Sequence, residues 1–336
     1  MPVAPSPPLI RRLDPMSISS PYAELIEGVP VEGREIDLFG STTRYWVYGA
    51  ADAPVTIVAA HGYRGEHHGL EPVIAHGAGQ RWISPDLPGF GESTPMTALP
   101  HSIDGYAQWF SAFVRELGLE GVAVILGHSF GTIVTAKAIS SGLKAPALVL
   151  VNPIAISGLE SPARFGTFIT VNWYRLNSRL PKRLGDRLLR TRIPTRFVTI
   201  SLAKTKDRAL RAWIHDQHFR YFSNFYDRDF VVETFNASTE HNVGEYAAEI
   251  RIPVLLIAAD LDDVTPIAAV RAMAERMDDV RLRVLTGVGH LIHYESPKPA
   301  AAAIGDFLDE LGLTGTEAPP GRGPRSPRET GEEPGQ

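Results

Sequence analysis

A serine between two glycines is the strongest candidate for chemistry in this chain. The segment Gly127-His128-Ser129-Phe130-Gly131 follows an apolar run and opens a stretch of helical periodicity. A sharp turn from strand to helix tolerates only small residues two positions before and after the serine, because the two elements approach closely there. Such a turn holds the Ser129 hydroxyl clear of the sheet and places the Phe130 N–H at a helix N-terminus, where it can stabilise an oxyanion. We therefore predict that Ser129 is a nucleophile.

A serine hydroxyl needs a general base, and His290 is the candidate. It ends the segment 287–290, which follows a predicted strand and precedes a helix predicted from about Pro297. A histidine on a loop at the carboxyl end of a strand can reach a nucleophile at the same edge of the sheet. His293, three residues further along, is interpreted as supporting structure rather than as the base.

The base in turn needs a carboxylate that orients the imidazole and stabilises its charged form. Asp260, Asp262 and Asp263 follow the predicted strand Val254–Ala258, and we predict that one of them is this partner. The others can cap the helix that begins near Pro266. The chain order serine, aspartate, histidine is the order expected for a sheet with this type of turn.

A second oxyanion donor is expected from the loop after an early strand. His61-Gly62-Tyr63 follows the apolar run Val55–Ala60. Gly62 allows the backbone to turn so that the Tyr63 N–H points inward, toward the position of a developing oxyanion. His61 itself is interpreted as a structural hydrogen-bonding group.

Composition argues against several other kinds of site. The 336 residues include no cysteine, which rules out disulfides, cysteine-ligated zinc, iron–sulfur clusters and a cysteine nucleophile. His67 and His68 could suggest a metal, but no spacing of carboxylates and histidines supports one, so no metal is predicted. The net charge is −5, from 33 Lys and Arg against 38 Asp and Glu, which argues against a nucleic-acid partner.

Short apolar runs alternate with helical patterns, and these elements must position the residues named above. Continuous apolar runs are typical of strands that are covered on both faces. The repeated order strand, helix, strand predicts an α/β fold with a mostly parallel central sheet flanked by helices. The predicted strands are Arg44–Tyr48, Val55–Ala60, Arg81–Ser84, Val122–Leu126, Ala147–Val151, Val254–Ala258 and Arg281–Leu285.

From about Arg34 to Leu311, the chain resembles the α/β-hydrolase-fold serine hydrolases. The loop DLPGFGES at 86–93 is similar to the family's D-x-x-G-x-G-x-S loop. The family's acid usually stands four residues before a proline, in G-x-x-D-x-x-x-P. Asp262 stands at that place, with Ala259 where the family has glycine. The resemblance therefore implies Asp262 as the acid, with Asp263 as the fallback.

The resemblance also implies a hydrolase with a catalytic triad of Ser129, His290 and Asp262, no cofactor, and a small-molecule substrate cleaved through an acyl-enzyme. A carboxylic ester is the first choice of substrate. Carbon–carbon bond cleavage in a diketone, thioester or lactone hydrolysis, acyl transfer and cofactor-free peroxidation share the same machinery. The fold also hosts non-catalytic ligand-binding members. The motifs do not separate these alternatives.

Residues 154–250 contain no clear strand and are predicted to form a helical cap over the active edge of the sheet. This segment holds 8 of the 14 Phe residues. Its inner face is therefore expected to be apolar and to receive an apolar or aromatic part of the substrate. The candidate pocket residues are Trp173, Trp213, Phe219, Phe222 and Phe225.

The cap is also locally basic. From Ser161 to Arg211 it has 13 Lys or Arg against only Asp186 and Asp207. The simpler explanation is a solvated helical face whose long side chains cover apolar surface. The alternative is an anionic partner, which is either a carboxylate or phosphate of the substrate or an anionic membrane surface. Both stay open, as does the oligomeric state.

The rest of the chain divides into a core and two tails. Residues 34–153 and 251–313 are predicted to form the α/β core. Residues 1–33 are Pro-rich and predicted to be partly disordered, with Met16 as an alternative start, and the polar residues 314–336 are predicted to be disordered. No apolar stretch is long enough to span a bilayer and no signal-peptide pattern precedes the core, so a cytoplasmic location is expected.

Overall fold

A mostly parallel β-sheet carries the residues singled out above. The computed structural model describes residues 18–315, except 78, 159, 161–163, 192–195, 197–198 and 223–224, together with 333–334. The strands are β1 (Val31–Leu38), β2 (Ser41–Tyr48), β3 (Val55–Ala60), β4 (Gln80–Pro85), β5 (Val124–His128), β6 (Leu148–Val151), β7 (Val254–Ala259), β8 (Val280–Thr286) and β9 (Glu333–Pro334). Their order is β1-β2-β4-β3-β5-β6-β7-β8-β9. The pairs β1–β2 and β2–β4 are antiparallel and the others parallel, which confirms the predicted fold class.

Helices cover both faces of this sheet. They are α1 (Ala23–Glu27), α2 (Glu71–His76), α3 (Ile103–Glu116), α4 (Phe130–Ser140), α5 (Arg164–Arg179), α6 (Lys182–Leu189), α7 (Arg208–Tyr221), α8 (Arg228–Glu240), α9 (Ile267–Ala274), α10 (Ile292–Glu295) and α11 (Pro297–Glu310). In β3, Val58 and Ala60 belong to the apolar core that includes α3 and α4. Ile57 and Ala59 belong to the core that includes α2 and α11. Two separate cores explain why this strand is a continuous apolar run.

The amino-terminal edge of the sheet differs from the sequence-based expectation. β1 was not predicted, and β2 begins three residues earlier than the predicted strand. The residues of β1 are exposed or half-buried along its whole length, because it is an edge strand. Such a strand has no apolar run that could reveal it.

Both predicted tails lie largely outside the described residues. In the amino-terminal segment 1–33, the structure describes residues 18–33, which include α1 and the start of β1. In the carboxyl-terminal segment 314–336, it describes 314–315 and 333–334. There Glu333 pairs with Leu285 and Pro334 with Thr286.

The segment between β6 and β7 contains helices α5–α8, and we call it the cap. It is joined to the core by an isolated antiparallel bridge between Phe90 and Phe225. The Tyr226 N–H donates to the Gly89 carbonyl oxygen at 3.0 Å beside this bridge. Within the part of the chain that the structure describes, no helix is long and apolar enough to cross a membrane.

The backbone of β5 and α4 approaches its neighbours very closely at the turn between them. Ser129 has φ 51° and ψ −119°, a conformation that non-glycine residues rarely adopt. A Cβ on Gly127 would lie 2.5 Å from the Gly131 carbonyl oxygen. A Cβ on Gly131 would lie 2.2 Å from the Ala60 carbonyl oxygen. Both positions therefore require glycine, because the colliding atoms are backbone atoms that cannot rotate away.

Replacement of Gly131 tests this junction. We expect Gly131→Ala to lower the free energy of unfolding by about 2 kcal/mol or more, since the new methyl group must displace backbone. The control is Gly305→Ala in α11, where a Cβ would meet nothing within 4 Å. Alanine there should be neutral or stabilising by up to about 1 kcal/mol. Urea denaturation measures both variants, and equal effects would contradict the steric argument.

Candidate active site

A chain of two hydrogen bonds joins the three residues proposed as a triad. Ser129 lies between β5 and α4, Asp262 follows β7, and His290 follows β8. The distance from Ser129 Oγ to His290 Nε2 is 2.8 Å, and that from His290 Nδ1 to Asp262 Oδ2 is also 2.8 Å. Because Nδ1 faces a carboxylate, it carries the ring proton, and the Nε2 lone pair is left to accept the Ser129 proton. All three groups thus lie where a nucleophile, a base and an orienting acid are needed.

Asp262 is buried and is held in its ionised form. Burial by itself would raise the pKa of Asp262, but His290 and the backbone N–H groups of Val264 and Thr265 hold it below its ordinary value. Those two N–H groups donate to Oδ1 at 2.8 and 3.2 Å. The carboxylate therefore stays negative and can stabilise an imidazolium at His290.

Asn152 is a further residue of this site that the sequence analysis missed. Its Nδ2 donates to Asp262 Oδ2 at 3.0 Å and to the Gly289 carbonyl oxygen at 3.4 Å. Its Oδ1 accepts the Ile292 N–H at 3.4 Å. The Asn152 side chain thus connects Asp262 to the backbone just before and just after His290. The available signal was the Asn-Pro pair at the end of a predicted strand, a position where active groups are expected in this kind of sheet.

The other two aspartates point elsewhere. Asp263 is largely exposed, and its carboxylate forms an ion pair with Lys204 of the cap. Asp260 accepts the Val288 N–H at 3.3 Å. The structure therefore brings Asp262, and not the fallback Asp263, to His290.

The two backbone N–H groups proposed as oxyanion donors follow the neighbouring strands β3 and β5. Phe130 is the first residue of α4, and Tyr63 follows β3. A Cβ on Gly62 would lie 3.2 Å from the Ser129 Cβ, so the loop that carries Tyr63 touches the nucleophile. Neither N–H donates a hydrogen bond to another described residue. His61 donates from Nδ1 to the Gly62 carbonyl oxygen and accepts the Leu87 N–H at Nε2, both at 2.8 Å, which is a structural role.

A cavity of about 670 Å³ opens at Ser129 and His290. Its lining includes the loop after β3 and the cap, and most of it is apolar. Two of the five predicted pocket residues, Trp173 and Phe222, line it. The aromatic lining residues that the sequence analysis did not select as pocket residues are Tyr63, Tyr174, Tyr221, Phe235 and Tyr294. Helical spacing alone cannot separate these residues from ordinary core aromatics, so no sequence signal identified them.

The other three predicted pocket residues lie outside this lining. Trp213 is buried in a separate apolar cluster, where its ring packs against Tyr22 and Tyr294 at 5.5 and 5.1 Å between centroids. Phe219 stacks on His215 one helical turn away. Phe225 is buried in the main core. These rings pack against other side chains of the core and the cap instead of lining the cavity.

Known proteins share the sequence pattern and the fold. A sequence model of the alpha/beta hydrolase family matches residues 57–303. N-formylmaleamate deformylase of Pseudomonas putida is 27% identical over 230 residues, 67% of this chain and 77% of that protein. A bacterial membrane phospholipase A has a TM-score of 0.68 at 15% identity, with 86% of this chain and 88% of that one covered. The esterase EaEST of Exiguobacterium antarcticum has a TM-score of 0.66 at 17% identity, with 82% and 99% covered.

A cluster of histidines and carboxylates joins the core to the cap beside the cavity. His68 Nδ1 lies 2.6 Å from Glu66 Oε1, and its ring stacks on Tyr221 of α7 with 4.5 Å between centroids. His67 Nδ1 lies 2.9 Å from Asp86 Oδ1. Glu66, His67 and His68 each offer one possible metal-ligating atom within 4.8 Å of the others, a proximity that the sequence spacing did not reveal. Hydrogen bonds to carboxylates account for both histidines, and the absence of a metal stays a prediction.

His68 carries a positive charge in this cluster. Burial lowers the pKa of His68, but the bonded Glu66 and the nearby Glu71 and Asp86 outweigh burial and raise it to about 9. The pKa of His67 is instead well below its ordinary value because of burial and the adjacent His68. A charged imidazole therefore lies next to a neutral one, with 3.9 Å between the ring centroids.

The charge on His68 makes stability depend on pH. In the unfolded chain a histidine has a pKa near 6.5, so the contribution of His68, about 3 kcal/mol at most, is complete below pH 6.5. We expect it to disappear as the pH rises to about 9. Urea denaturation at several pH values should show this loss in the wild type and a flatter profile in His68→Asn. The control is His241→Asn, an exposed histidine paired with Glu245. If the free energy of unfolding fell with pH as steeply in His68→Asn as in the wild type, the raised pKa would not belong to His68.

Proposed function

The chain belongs to the alpha/beta hydrolase family, and from that premise we propose that it is a serine hydrolase that cleaves a carboxylic ester through an acyl-enzyme. The observation that carries the proposal is the hydrogen-bonded chain from Ser129 through His290 to Asp262. Serine is a weak nucleophile without such a base, and the arrangement has no other evident use in a buried cavity.

The proposed reaction has two halves. The Ser129 oxygen attacks the ester carbonyl while His290 Nε2 takes the hydroxyl proton, and the N–H groups of Tyr63 and Phe130 receive the negative oxygen. The tetrahedral intermediate collapses, His290 returns the proton to the departing alcohol, and an acyl ester remains on Ser129. Water then attacks this ester with His290 as base, which releases the acid and restores Ser129. Asp262 stays ionised throughout and stabilises the imidazolium.

The choice of an ester rests on the chemistry of the relatives and of the cavity. The esterase EaEST and the phospholipase A are named for ester substrates, and the P. putida relative is named as a deformylase. A largely apolar lining fits a small molecule with an apolar or aromatic part. Cleavage of carbon–carbon bonds, thioesters or lactones, and peroxidation, remain alternatives for the same residues. An acyltransferase would give a product ratio that depends on an added alcohol or amine, and a non-catalytic member would hold its ligand without turnover.

A peripheral membrane contact through the cap is a further part of the proposal. The exposed residues of α5 and α6 include four arginines and two leucines, namely Arg175, Arg179, Arg183, Arg187, Leu176 and Leu184. None of the four arginines forms an ion pair with another described residue. Basic side chains around exposed apolar ones suit an anionic lipid surface. The cytoplasmic location stays a prediction.

Labelling with a small fluorophosphonate tests the proposed mechanism. We expect one adduct by intact mass in the wild type and none in Ser129→Ala. Asp262→Asn should slow labelling by about 10³–10⁴-fold, because the imidazole loses its orientation and its counter-charge. Asp263→Asn, one residue away and bonded to Lys204, is the matched control and should label at the wild-type rate. Absence of any adduct on the folded wild-type protein would refute an activated Ser129.

Vesicle sedimentation tests the membrane contact. We expect binding to vesicles of phosphatidylglycerol and phosphatidylcholine at low salt, and loss of binding between about 0.05 and 0.5 M salt as charges are screened. Arg179→Glu/Arg183→Glu should abolish binding. The control, Arg34→Glu/Arg251→Glu, makes the same change of charge at exposed positions of the core. No binding at low salt, or equal loss in both double variants, would argue against the contact.

A further inference from the structure

A buried arginine lies in the wall of the cavity without a carboxylate partner. Arg64 follows Tyr63 in the loop after β3, is 3% exposed, and lines the cavity that contains Ser129. Within the described residues, no Asp or Glu oxygen lies within ion-pair distance of its guanidinium. Burial of an unpaired charge is expensive, and buried cations in proteins are generally paired with an anion.

The acceptors that Arg64 does have are neutral. Nε donates to the Phe222 carbonyl oxygen at 2.7 Å, Nη1 to the Tyr174 hydroxyl at 3.2 Å, and Nη2 to the Leu189 carbonyl oxygen at 3.3 Å. The guanidinium carbon also lies 4.4 Å from the centre of the Phe222 ring. A guanidinium has five N–H groups, so one on each terminal nitrogen has no acceptor among the described residues. These contacts hold the group in place without neutralising its charge.

The rest of the cavity does not supply the missing anion. Glu66 also lines it, but that carboxylate is hydrogen-bonded to the charged His68. Burial lowers the pKa values of His128 and His218 to about 3, so these two lining histidines are neutral at ordinary pH. Arg64 is therefore the unbalanced fixed charge among the described lining residues.

A second polar group without a partner lines the same cavity. The Trp173 Nε1–H is buried and has no acceptor among the described residues. A buried N–H that bonds nothing is unfavourable, so a ligand group that accepts from it is favoured. The cavity thus combines an uncompensated guanidinium with an unused N–H donor, in a lining that is otherwise largely apolar.

We propose that Arg64 is a specificity-determining residue that binds a free carboxylate of the substrate, so that the preferred esters are those that carry such a carboxylate. This inference rests on the function proposed above. A guanidinium matches the planar carboxylate with parallel N–H donors, and the low exposure of Arg64 makes the pair strong and little affected by salt. The carboxylate replaces the missing counter-ion, and the apolar part of the ester contacts the aromatic lining.

Matched pairs of substrates test the proposal. The acidic esters are the p-nitrophenyl monoesters of succinic, glutaric and adipic acid, and in each neutral partner an isopropyl group replaces the carboxylate. We expect the wild type to prefer one of the acidic esters over its partner by about tenfold or more in kcat/KM. Arg64→Met should remove this preference while it leaves the neutral ester within about threefold of wild type, and Arg64→Lys should restore part of it.

Arg190→Met is the matched control. Its guanidinium also stacks on Phe225 and donates to the carbonyl oxygens of Phe225 and Tyr226, but Arg190 is exposed and does not line the cavity. It should keep the preference for the acidic ester. A preference that survives Arg64→Met would overturn the proposal. Equal losses of kcat/KM on acidic and neutral esters in a normally folded Arg64→Met would overturn it too, because they would show that Arg64 only holds the cap in place.

A binding measurement keeps this inference separate from the catalytic proposal. Titration calorimetry with glutarate on Ser129→Ala needs no turnover, so it can be read even if no ester is cleaved. Saturable binding to Ser129→Ala that is lost in Ser129→Ala/Arg64→Met supports the carboxylate site, and neutral glutaramide should not compete. Equal binding of succinate, glutarate and adipate to both proteins, or to neither, contradicts it.

Discussion

At the start of α4 the backbone lies so close to the end of β3 that a Cβ on Gly131 would stand 2.2 Å from the Ala60 carbonyl oxygen. Ser129, two residues earlier, has a positive φ in this turn, which holds its hydroxyl at the edge of the sheet. The turn also sets the nucleophile against the loop that begins at His61, because that loop is the direct continuation of β3. The aspartate and the histidine come from β7 and β8 at the same edge. Their 2.8 Å contacts therefore depend on the register of the sheet and on the position of this turn.

The loop after β3 connects the reaction centre to the cap. Tyr63, whose N–H faces the nucleophile in the proposed mechanism, donates its hydroxyl proton to the Val231 carbonyl oxygen in α8 at 2.8 Å. The next residue, Arg64, donates to α5, to the end of α6 and to the residue after α7. His68 stacks on Tyr221 near the end of α7. Residues 63–68 of one core loop thus contact α5, α6, α8 and the carboxyl end of α7.

Sequence patterns predicted the parts of this molecule whose physical cause is local. β3, β5 and β7 are detectable because both faces of the sheet are covered, which makes each strand a continuous apolar run. The turn at Ser129 is detectable because the close approach of strand and helix requires glycine at positions 127 and 131. The edge strand β1 has no such run. The role of Asn152 cannot be read from its sequence neighbours, because its hydrogen-bond partners Asp262 and Ile292 are more than a hundred residues away along the chain. Trp213 and Trp173 both lie in helices of the cap, and only the packing of the cap decides which of them lines the cavity.

The cap enters the chain between two strands that are direct neighbours in the sheet. β6 and β7 pair in parallel from Leu148 with Val254 to Val151 with Ile257, so the hydrogen bonds on both sides of the insertion are independent of what lies within it. Chain-closure entropy grows only logarithmically with length, and a doubled insertion would cost the sheet about 0.6 kcal/mol. Evolution can therefore lengthen, shorten or replace the cap at little expense to the core. The substrate range can diverge while the distance from nucleophile to base stays the same.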